Sequence, residues 1–387
     1  MHRSDDEDRH LNPGRIKAIV RKEFYHLIRD YRSLYLAFAM PLILIILFGY
    51  ALSLDVDNVE TVVVDYDKSE RSRDFIRRLD ASAYFHVSQM LPQTRDAMDY
   101  LDHDLAKVVI VIGPDFMKSL LADRETPLQI IIDGSDPTFG SIIRGYMTAF
   151  TEQYNQKLLL GFLNRQGQEP IKPPVEGRIR IWFNEDLESR NFIIPGIIAV
   201  IIMIIGALLA SLVIAREYEN GTMETIKSMP VRAGELLVGK AIPYFFIGLA
   251  NVLIAILLGQ VLFGIVMKGN FWLMIASASL YLSVAISLGL LISNVTKSQL
   301  MANQIAILTT YLPSLLLSNF VFPVINMPAF LQLLTLLVPA TYFIDILSGI
   351  YLRNLGLAYL WPSMSILALM FTLLTAVNYT LLKREGL

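Results

Sequence analysis

The chain contains no cysteine among its 387 residues, and this absence excludes several kinds of site. Disulfide bonds, thiolate zinc sites, iron–sulfur clusters and cysteine nucleophiles all need a residue that the sequence does not have. Charge is also scarce, at 18% of residues, against about 25% in soluble domains. The net charge of −2 gives no electrostatic indication of a nucleic-acid partner.

The missing charge leaves long apolar runs in a chain that is 54% hydrophobic. A helix that crosses a bilayer needs about 20 such residues. The sequence therefore predicts a polytopic α-helical membrane protein with six transmembrane helices and an inserted α/β domain. The predicted spans are 34–54, 192–215, 241–267, 271–293, 301–322 and 357–382.

The stretch 323–356, between the fifth and sixth predicted spans, is apolar but interrupted by prolines. We expect short re-entrant helices in the outer leaflet, because broken backbone at membrane depth needs protein or a wet cavity to satisfy it. Asp345 is the one acid in this stretch. It either contacts substrate or handles protons, or it faces water at the outer rim, and the sequence leaves both interpretations open.

Basic residues are distributed unevenly between the loops. Thirteen lysines and arginines flank the predicted spans on one side, whereas only Lys268 and Arg353 lie in the short loops on the other. Because basic loops remain in the cytoplasm, both termini are predicted to be cytoplasmic. The five predicted helices in 191–387 then form the main transmembrane domain, and the insert 55–190 lies outside the membrane on the far side.

The insert alternates strand and helix patterns, which predicts an independently folded α/β domain. Segments rich in β-branched or apolar residues predict strands at 59–65, 84–90, 107–112 and 128–133. Helical patterns lie at 69–79, 94–101 and 114–121, followed by a long amphipathic helix over 139–154.

The residues before the first predicted span fall into two parts. Residues 1–14, which include four successive acids, are typical of a disordered tail. Residues 15–33 have apolar side chains on one side of a helix and most of the basic ones on the other. That pattern favours a helix on the inner membrane surface, while a solvated helix packed on a partner is the alternative.

The loop 216–235, between the second and third predicted spans, has the strongest functional pattern. Charged residues at the inner end of a span must face water or a partner, because leaving them in lipid costs several kcal/mol. Apolar residues on the other side predict a short amphipathic helix that can receive force from a cytoplasmic partner, although an ordinary positive-inside loop fits the composition equally well. The candidate residues, extended to the next helix, are Arg216, Glu217, Glu219, Gly221, Thr222, Glu224, Pro230, Glu235, Gly239 and Lys240.

Four short motifs in this segment resemble the signature of ABC-2 type permeases, the membrane subunits of ABC exporters. They are Arg216-Glu217, Gly221-Thr222-Met223-Glu224, Met229-Pro230 and Gly239-Lys240. Stretches within 63–69, 113–116, 132–134 and 182–196 are similar to the subgroup with a large extracytoplasmic domain after the first span.

The resemblance implies that loop 216–235 is a coupling helix that docks on a separate ATPase chain, with 15–33 as the connecting helix beside it. ATP and magnesium would bind to that ATPase, so this chain would be a transport subunit without enzymatic activity, metal or cofactor. Two permease copies, or this chain and a paralogue, would form the substrate path between their second and fifth spans. A periplasmic adaptor would be a further partner of a complex in the bacterial inner membrane.

Residues inside the predicted spans give further indications. Asn303 and Gln304 would hydrogen-bond across a dimer or line the path, and the uncharged spans favour a drug-like or lipid-like substrate. The pairs Gly206/Ala210 and Ala285/Gly289 have the small-xxx-small spacing of closely packed membrane helices.

Residues 234–241 almost form a nucleotide-binding P-loop. The match fails at Ala241, where a Ser or Thr must hold magnesium, and no strand precedes it. The energy for transport must therefore come from another source. The alternative to an ATP-driven exporter is an ion-coupled multidrug carrier or antiporter, which would need ionisable residues that the span centres lack.

Overall fold

The computed structural model describes residues 12–51, 58–122, 124, 126–135, 137–165 and 190–387. The chain divides into two compact units, Met1–Ser53 with Ile181–Leu387, and Leu54–Arg180. We call the first the helical unit and the second the α/β unit. Most of the predicted tail 1–14 lies outside the described residues, but its last residues are helical. Asn12 caps the first helix, which begins at Pro13.

The helical unit holds most of the helices. They are α1 (Pro13–Arg29), α2 (Tyr31–Ala51), α7 (Arg190–Glu219), α8 (Thr222–Ser228), α9 (Ala233–Phe263), α10 (Phe271–Thr296), α11 (Gln299–Leu316), α12 (Ala329–Thr335), α13 (Pro339–Arg353) and α14 (Leu357–Arg384). The intervening helices belong to the α/β unit and are α3 (Glu70–Asp80), α4 (Thr94–Asp102), α5 (Phe116–Leu121) and α6 (Pro137–Arg165).

The α/β unit is built on four strands, β1 (Val59–Asp65), β2 (Phe85–Leu91), β3 (Val108–Ile112) and β4 (Leu128–Ile132), in the order β2-β1-β3-β4. β1 is parallel to β2 and β3, whereas β4 is antiparallel to β3. Alternate side chains face opposite layers, so Val63 packs towards α3, α5 and α6 and Val62 towards α4. The strands begin and end within two residues of the predicted positions; the location of this unit outside the membrane stays a prediction.

Four helices, α7, α9, α10 and α14, are each long and apolar enough to cross a bilayer, and α12 with α13 passes the same test as a pair bent by 76°. They correspond to the second, third, fourth and sixth predicted spans and to the predicted re-entrant segment. The helical, multi-span architecture is therefore as the sequence predicts. Six spans remain a prediction, since among the described residues α2 carries only the shorter apolar helix Ala37–Tyr50.

Several helix boundaries differ from the prediction; α6 continues to Arg165, and α9 begins at Ala233 and ends at Phe263. α1 ends at Arg29 and α2 begins at Tyr31, so the first apolar helix starts before residue 34. α11 ends at Leu316, six residues before the predicted end of the fifth span. The apolar run continues beyond the last helical turn, and hydropathy alone does not register that break.

Helix α7 lies at the centre of the helical unit and is buried along almost its whole apolar length. A helix that is hydrophobic on all sides is expected in such a position. The predicted small-residue contacts pack it on α10: a Cβ added at Gly206 would lie 2.9 Å from Ala285 Cβ, and one at Gly289 would lie 2.4 Å from the Ala207 carbonyl oxygen.

Candidate functional site

Helix α8 is a short amphipathic helix between the ends of α7 and α9, as loop 216–235 predicts. Gly221 joins it to α7 with φ of 70°, a left-handed conformation that glycine adopts without steric cost. Met223 and Ile226 are buried in the core of the helical unit. The exposed residues from the α7–α8 turn to the α8–α9 link are Asn220, Gly221, Thr222, Glu224, Thr225, Ser228, Met229 and Pro230.

A groove of about 480 Å³ opens between α1, α8 and the start of α9. Most of its lining residues are apolar, and Met229 on its wall is 47% exposed. Arg15 and Lys22 of α1 add two cationic side chains. The remaining lining residues are Ala18, Ile19, Glu23, Thr222, Thr225, Ile226, Pro230, Val231, Leu236 and Lys240.

Behind the groove, Lys240 of α9 is the centre of a buried ion cluster, and its side chain is only 2% exposed. Its Nζ donates to Glu23 Oε1 of α1 at 2.8 Å and to Glu217 Oε1 of α7 at 2.9 Å. A third bond reaches the Val213 carbonyl oxygen at 3.3 Å. Lys22 Nζ also donates to Glu217 Oε1, at 2.7 Å. We call Lys22, Glu23, Glu217 and Lys240 the ion cluster. Buried charges are tolerated only when they are paired and hydrogen-bonded. Because the paired groups come from α1, α7 and α9, the ion cluster joins these three helices.

Glu235 joins the beginnings of α1 and α9. Its fully buried carboxylate accepts the backbone N–H of Asn12 at 2.8 Å and that of Arg232 at 3.1 Å. Arg15 lies 3.6 Å from the same carboxylate. A single side chain therefore caps α9 and holds the N-cap residue of α1 in place.

Gly239 lies where α1 crosses α9. A Cβ added there would lie 2.7 Å from Ile19 Cγ2, which is closer than van der Waals contact allows. The motif Gly239-Lys240 thus combines a position where the helices approach closely with a buried cation.

Four consecutive side chains at the end of α7 each contact a different part of the helical unit. Arg216 reaches Asp30, between α1 and α2, at 3.4 Å, and Glu217 belongs to the ion cluster. The Tyr218 hydroxyl donates to Glu385, after α14. Glu219 accepts from Gln299 at the start of α11, from its backbone N–H at 2.7 Å and its amide at 2.6 Å. The end of α7, from which the chain continues into α8, is therefore linked by side-chain contacts to the segment between α1 and α2, to α1, to α9, to α11 and to the residues after α14.

The burial of this segment corrects one part of the sequence interpretation. The expectation that its charged residues face water or a partner is wrong for Glu217, Glu235 and Lys240, which are at most 6% exposed. These carboxylates and this ammonium find their partners inside the protein. Glu224, which is exposed, fits the original expectation.

Sequence reasoning did not find the α1 half of the cluster. From the sequence, Lys22 and Glu23 belong only to a helix with one apolar and one basic side. The signal was Glu23 itself, an acid four residues from both Ile19 and Leu27 on one helix face. A lone acid on a packed face requires a buried cation, although the sequence does not say which one.

The candidate path residues lie at separate places. Asn303 of α11 lines a groove of about 170 Å³ with Met40 of α2 and residues of α7. Gln304 is exposed on α11. Asp345 of α13 is exposed and accepts a hydrogen bond from Ser363 Oγ of α14 at 2.8 Å. Among the residues that the structure describes, no hydrogen bond or ion pair joins Asp345 to α11.

Comparison with known proteins identifies the family. A family model described as ABC-2 family transporter protein matches residues 32–380. The chain belongs to this ABC-2 family. As the matched range includes both units, the α/β unit is part of what the family model describes, and the predicted membership is confirmed.

Individual relatives of this ABC-2 chain are permeases. The probable multidrug ABC transporter permease YbhS of Escherichia coli (strain K12) is 31% identical over 345 residues, 89% of this chain and 90% of that protein. The probable multidrug ABC transporter permease YbhR of the same organism is 29% identical over 372 residues, 96% and 99% of the two chains. The inner membrane transport permease YhhJ, also from that strain, is 25% identical over 315 residues, 78% of each chain.

Proposed function

We propose that this ABC-2 permease exports hydrophobic or amphipathic molecules, drug-like or lipid-like, across a bacterial inner membrane. A separate ATPase subunit, which binds ATP and magnesium, supplies the energy. The observation that carries the proposal is the open apolar groove of α1, α8 and α9, directly in front of a buried ion cluster that fastens α1 to α7 and α9.

The ATPase docks on the exposed part of this segment. Thr222, Glu224 and Pro230 form direct contacts, and the exposed side chain of Met229 supplies apolar area in the groove. Aromatic or aliphatic side chains that fill such a groove dominate the binding energy of protein interfaces. A docking element with an apolar tip fits this groove, and a cationic flank complements the exposed Glu224.

The buried residues transmit the movement and do not touch the partner. Arg216, Glu217 and Glu219 connect the end of α7 to its neighbours, while Glu235, Gly239 and Lys240 hold α1 against α9. Because paired buried charges separate only at high energetic cost, α1, α7 and α9 move together when the ATPase displaces α8. That displacement changes the packing of α7 against α11.

The transport path in this proposal lies between α7 and α11 of two permease copies, or of this chain and a paralogue. Asn303 and Gln304 face the path or the second copy, and Asp345 marks its outer end. The groove end of the helical unit and both termini are cytoplasmic. The α/β unit lies on the opposite side of the membrane, where it meets a periplasmic adaptor.

Co-purification in mild detergent tests the docking site. The permease is co-expressed with candidate ABC ATPase subunits from its source organism, and captured ATPase is quantified. We expect Glu224→Arg and Met229→Glu each to lower the captured ATPase at least tenfold, because a charge change in the middle of an interface costs more than about 1.4 kcal/mol.

The matched control is Met90→Glu in β2, where the methionine is 56% exposed and no docking is proposed. This variant should capture as much ATPase as the unaltered chain. Equal capture by all four proteins would contradict the groove as the docking site. Failure of the unaltered chain to capture any ATPase would contradict the ATP-driven function itself and favour the ion-coupled alternative.

A further inference from the structure

Helix α1 carries an exposed surface that neither its packing nor the groove uses. Ile19, Glu23 and Leu27 face the helical unit, where Glu23 and Leu27 are buried. A second line of residues at four-residue spacing, the apolar row, consists of Val20, Phe24 and Ile28. The next line, the basic row, consists of Lys17, Arg21, Tyr25 and Arg29. Residues four apart lie on the same helix face.

Both rows are open to the surroundings. Phe24 and Ile28 of the apolar row are 48% and 53% exposed, and Tyr25 of the basic row is 51% exposed. Lys17, Arg21 and Arg29 are exposed as well. An exposed surface of this kind, apolar on one side and basic on the other, is typical of helices that lie in the interface of a membrane.

The charge of the basic row is not neutralised by the part of the chain that the structure describes. The two acids of this region are used elsewhere: Glu23 pairs with Lys240, and Asp30 with Arg216. No described carboxylate lies within ion-pair distance of Lys17, Arg21 or Arg29. The Arg21 guanidinium instead lies over the Tyr25 ring, 5.6 Å from its centre. Three cations on one surface are therefore available to an anionic partner.

The position of α1 indicates which partner this is. Only Asp30 separates α1 from α2, whose exposed side chains include Ile43 at 52% and Leu47 at 56%. In a membrane permease, exposed apolar side chains of this kind face lipid. The surface of α1 therefore begins where the lipid-facing surface of α2 ends, at the depth of the headgroups.

We propose that α1 binds anionic phospholipids of the adjoining leaflet. The apolar row enters the acyl-chain boundary, and the basic row binds the phosphate-bearing headgroups. Each lysine or arginine near an anionic membrane surface strengthens binding by about fivefold. The proposal does not depend on the cargo or on ATP, and α1 would then contact lipid on one side and line the docking groove on the other.

The absence of cysteine makes a direct test simple. The full chain is reconstituted in phosphatidylcholine vesicles with a polarity-sensitive fluorophore on Phe24→Cys, in the apolar row. A matched label is placed on Ala18→Cys, which lines the groove. Lipids with a nitroxide high on the acyl chain should quench the label at residue 24 and leave that at residue 18 unaffected. Adding phosphatidylglycerol should increase the quenching at residue 24.

The triple variant Lys17→Gln, Arg21→Gln, Arg29→Gln should lose the response to phosphatidylglycerol. The unaltered chain should also lose this response when the salt concentration rises from about 0.1 M to about 1 M, because the electrostatic screening length then falls to about 3 Å. Lys157→Gln, which removes an exposed lysine of α6, should change nothing.

Three outcomes would overturn the proposal. One is the absence of quenching at residue 24, and another is a phosphatidylglycerol response that persists in the triple variant. The third is a response that appears only after Asp5, Asp6, Glu7 and Asp8 are changed to amides. That result would mean that this acidic segment of the chain, and not lipid, occupies the basic row.

Discussion

At the scale of single residues, Lys240 shows what the sequence indicates and what it does not. The motif Gly239-Lys240 marks the position as important, and the apolar run after it predicts a helix. The sequence does not show that the ammonium is buried, because its partners lie 23 and 217 positions away in the chain. Burial follows from the packing of α1 on α9, which depends on contacts that no local pattern encodes.

Replacing Lys240 by methionine should therefore destabilise the helical unit strongly. The change preserves side-chain length but leaves the buried carboxylate of Glu23 without its cation and that of Glu217 with Lys22 alone. Breaking a buried ion pair in this way costs about 3–5 kcal/mol. Thermal unfolding of the purified protein in detergent measures the loss.

The control is the triple variant Lys240→Met, Glu23→Gln, Glu217→Gln, which removes the three buried charges and leaves only Lys22, whose side chain is 45% exposed. It should recover most of the stability, since replacing a whole buried ion network by neutral groups is often close to neutral. Wild-type stability in the single variant would show that the cluster is open to water and would remove its proposed role in joining the helices.

At the scale of secondary-structure elements, agreement with the sequence follows the strength of the local signal. Runs of β-branched residues place the strands of the α/β unit within two residues. The end of α11 is predicted late, because residues 317–322 remain mostly apolar after the helix has stopped. There the Ser318 hydroxyl donates to the Ser314 carbonyl oxygen, and such local bonds compete with helical hydrogen bonds.

The contact between α7 and α10 gives a prediction at this scale. Gly289→Val should destabilise the helical unit, because its Cβ alone would overlap the Ala207 carbonyl oxygen. Overpacking of a tightly packed interface costs about 1–3 kcal/mol. The unfolding temperature in detergent reports the change, and the expression level should fall with it.

Gly145→Val serves as the comparison, since a Cβ at this helical glycine of α6 meets no atom within 4 Å. Its cost should be small. If both variants unfold at the same temperature, the close approach of α7 and α10 is not what stabilises the helical unit.

At the scale of the whole molecule, the family match includes both units, and the match to the permeases YbhS and YbhR covers 90% and 99% of their lengths. Composition predicted the helical, multi-span architecture, because lipid imposes apolar runs that are visible in any single sequence, whereas the orientation that loop charge predicts stays a prediction. The direction of transport, the pairing of two copies and the location of the α/β unit depend on partners and on the membrane, so they stay predictions. The separate ATPase subunit is another partner of this kind, and its role stays a proposal.

Transport in reconstituted vesicles tests the central claim, that a separate ATPase drives this chain through the groove of α1, α8 and α9. A fluorescent hydrophobic cation is followed in vesicles that contain the permease with or without its ATPase, and either ATP or a proton gradient is supplied. The account predicts transport only with both ATPase and ATP, and a loss of that transport in Glu224→Arg. Transport by the permease alone, driven by the proton gradient, would contradict it.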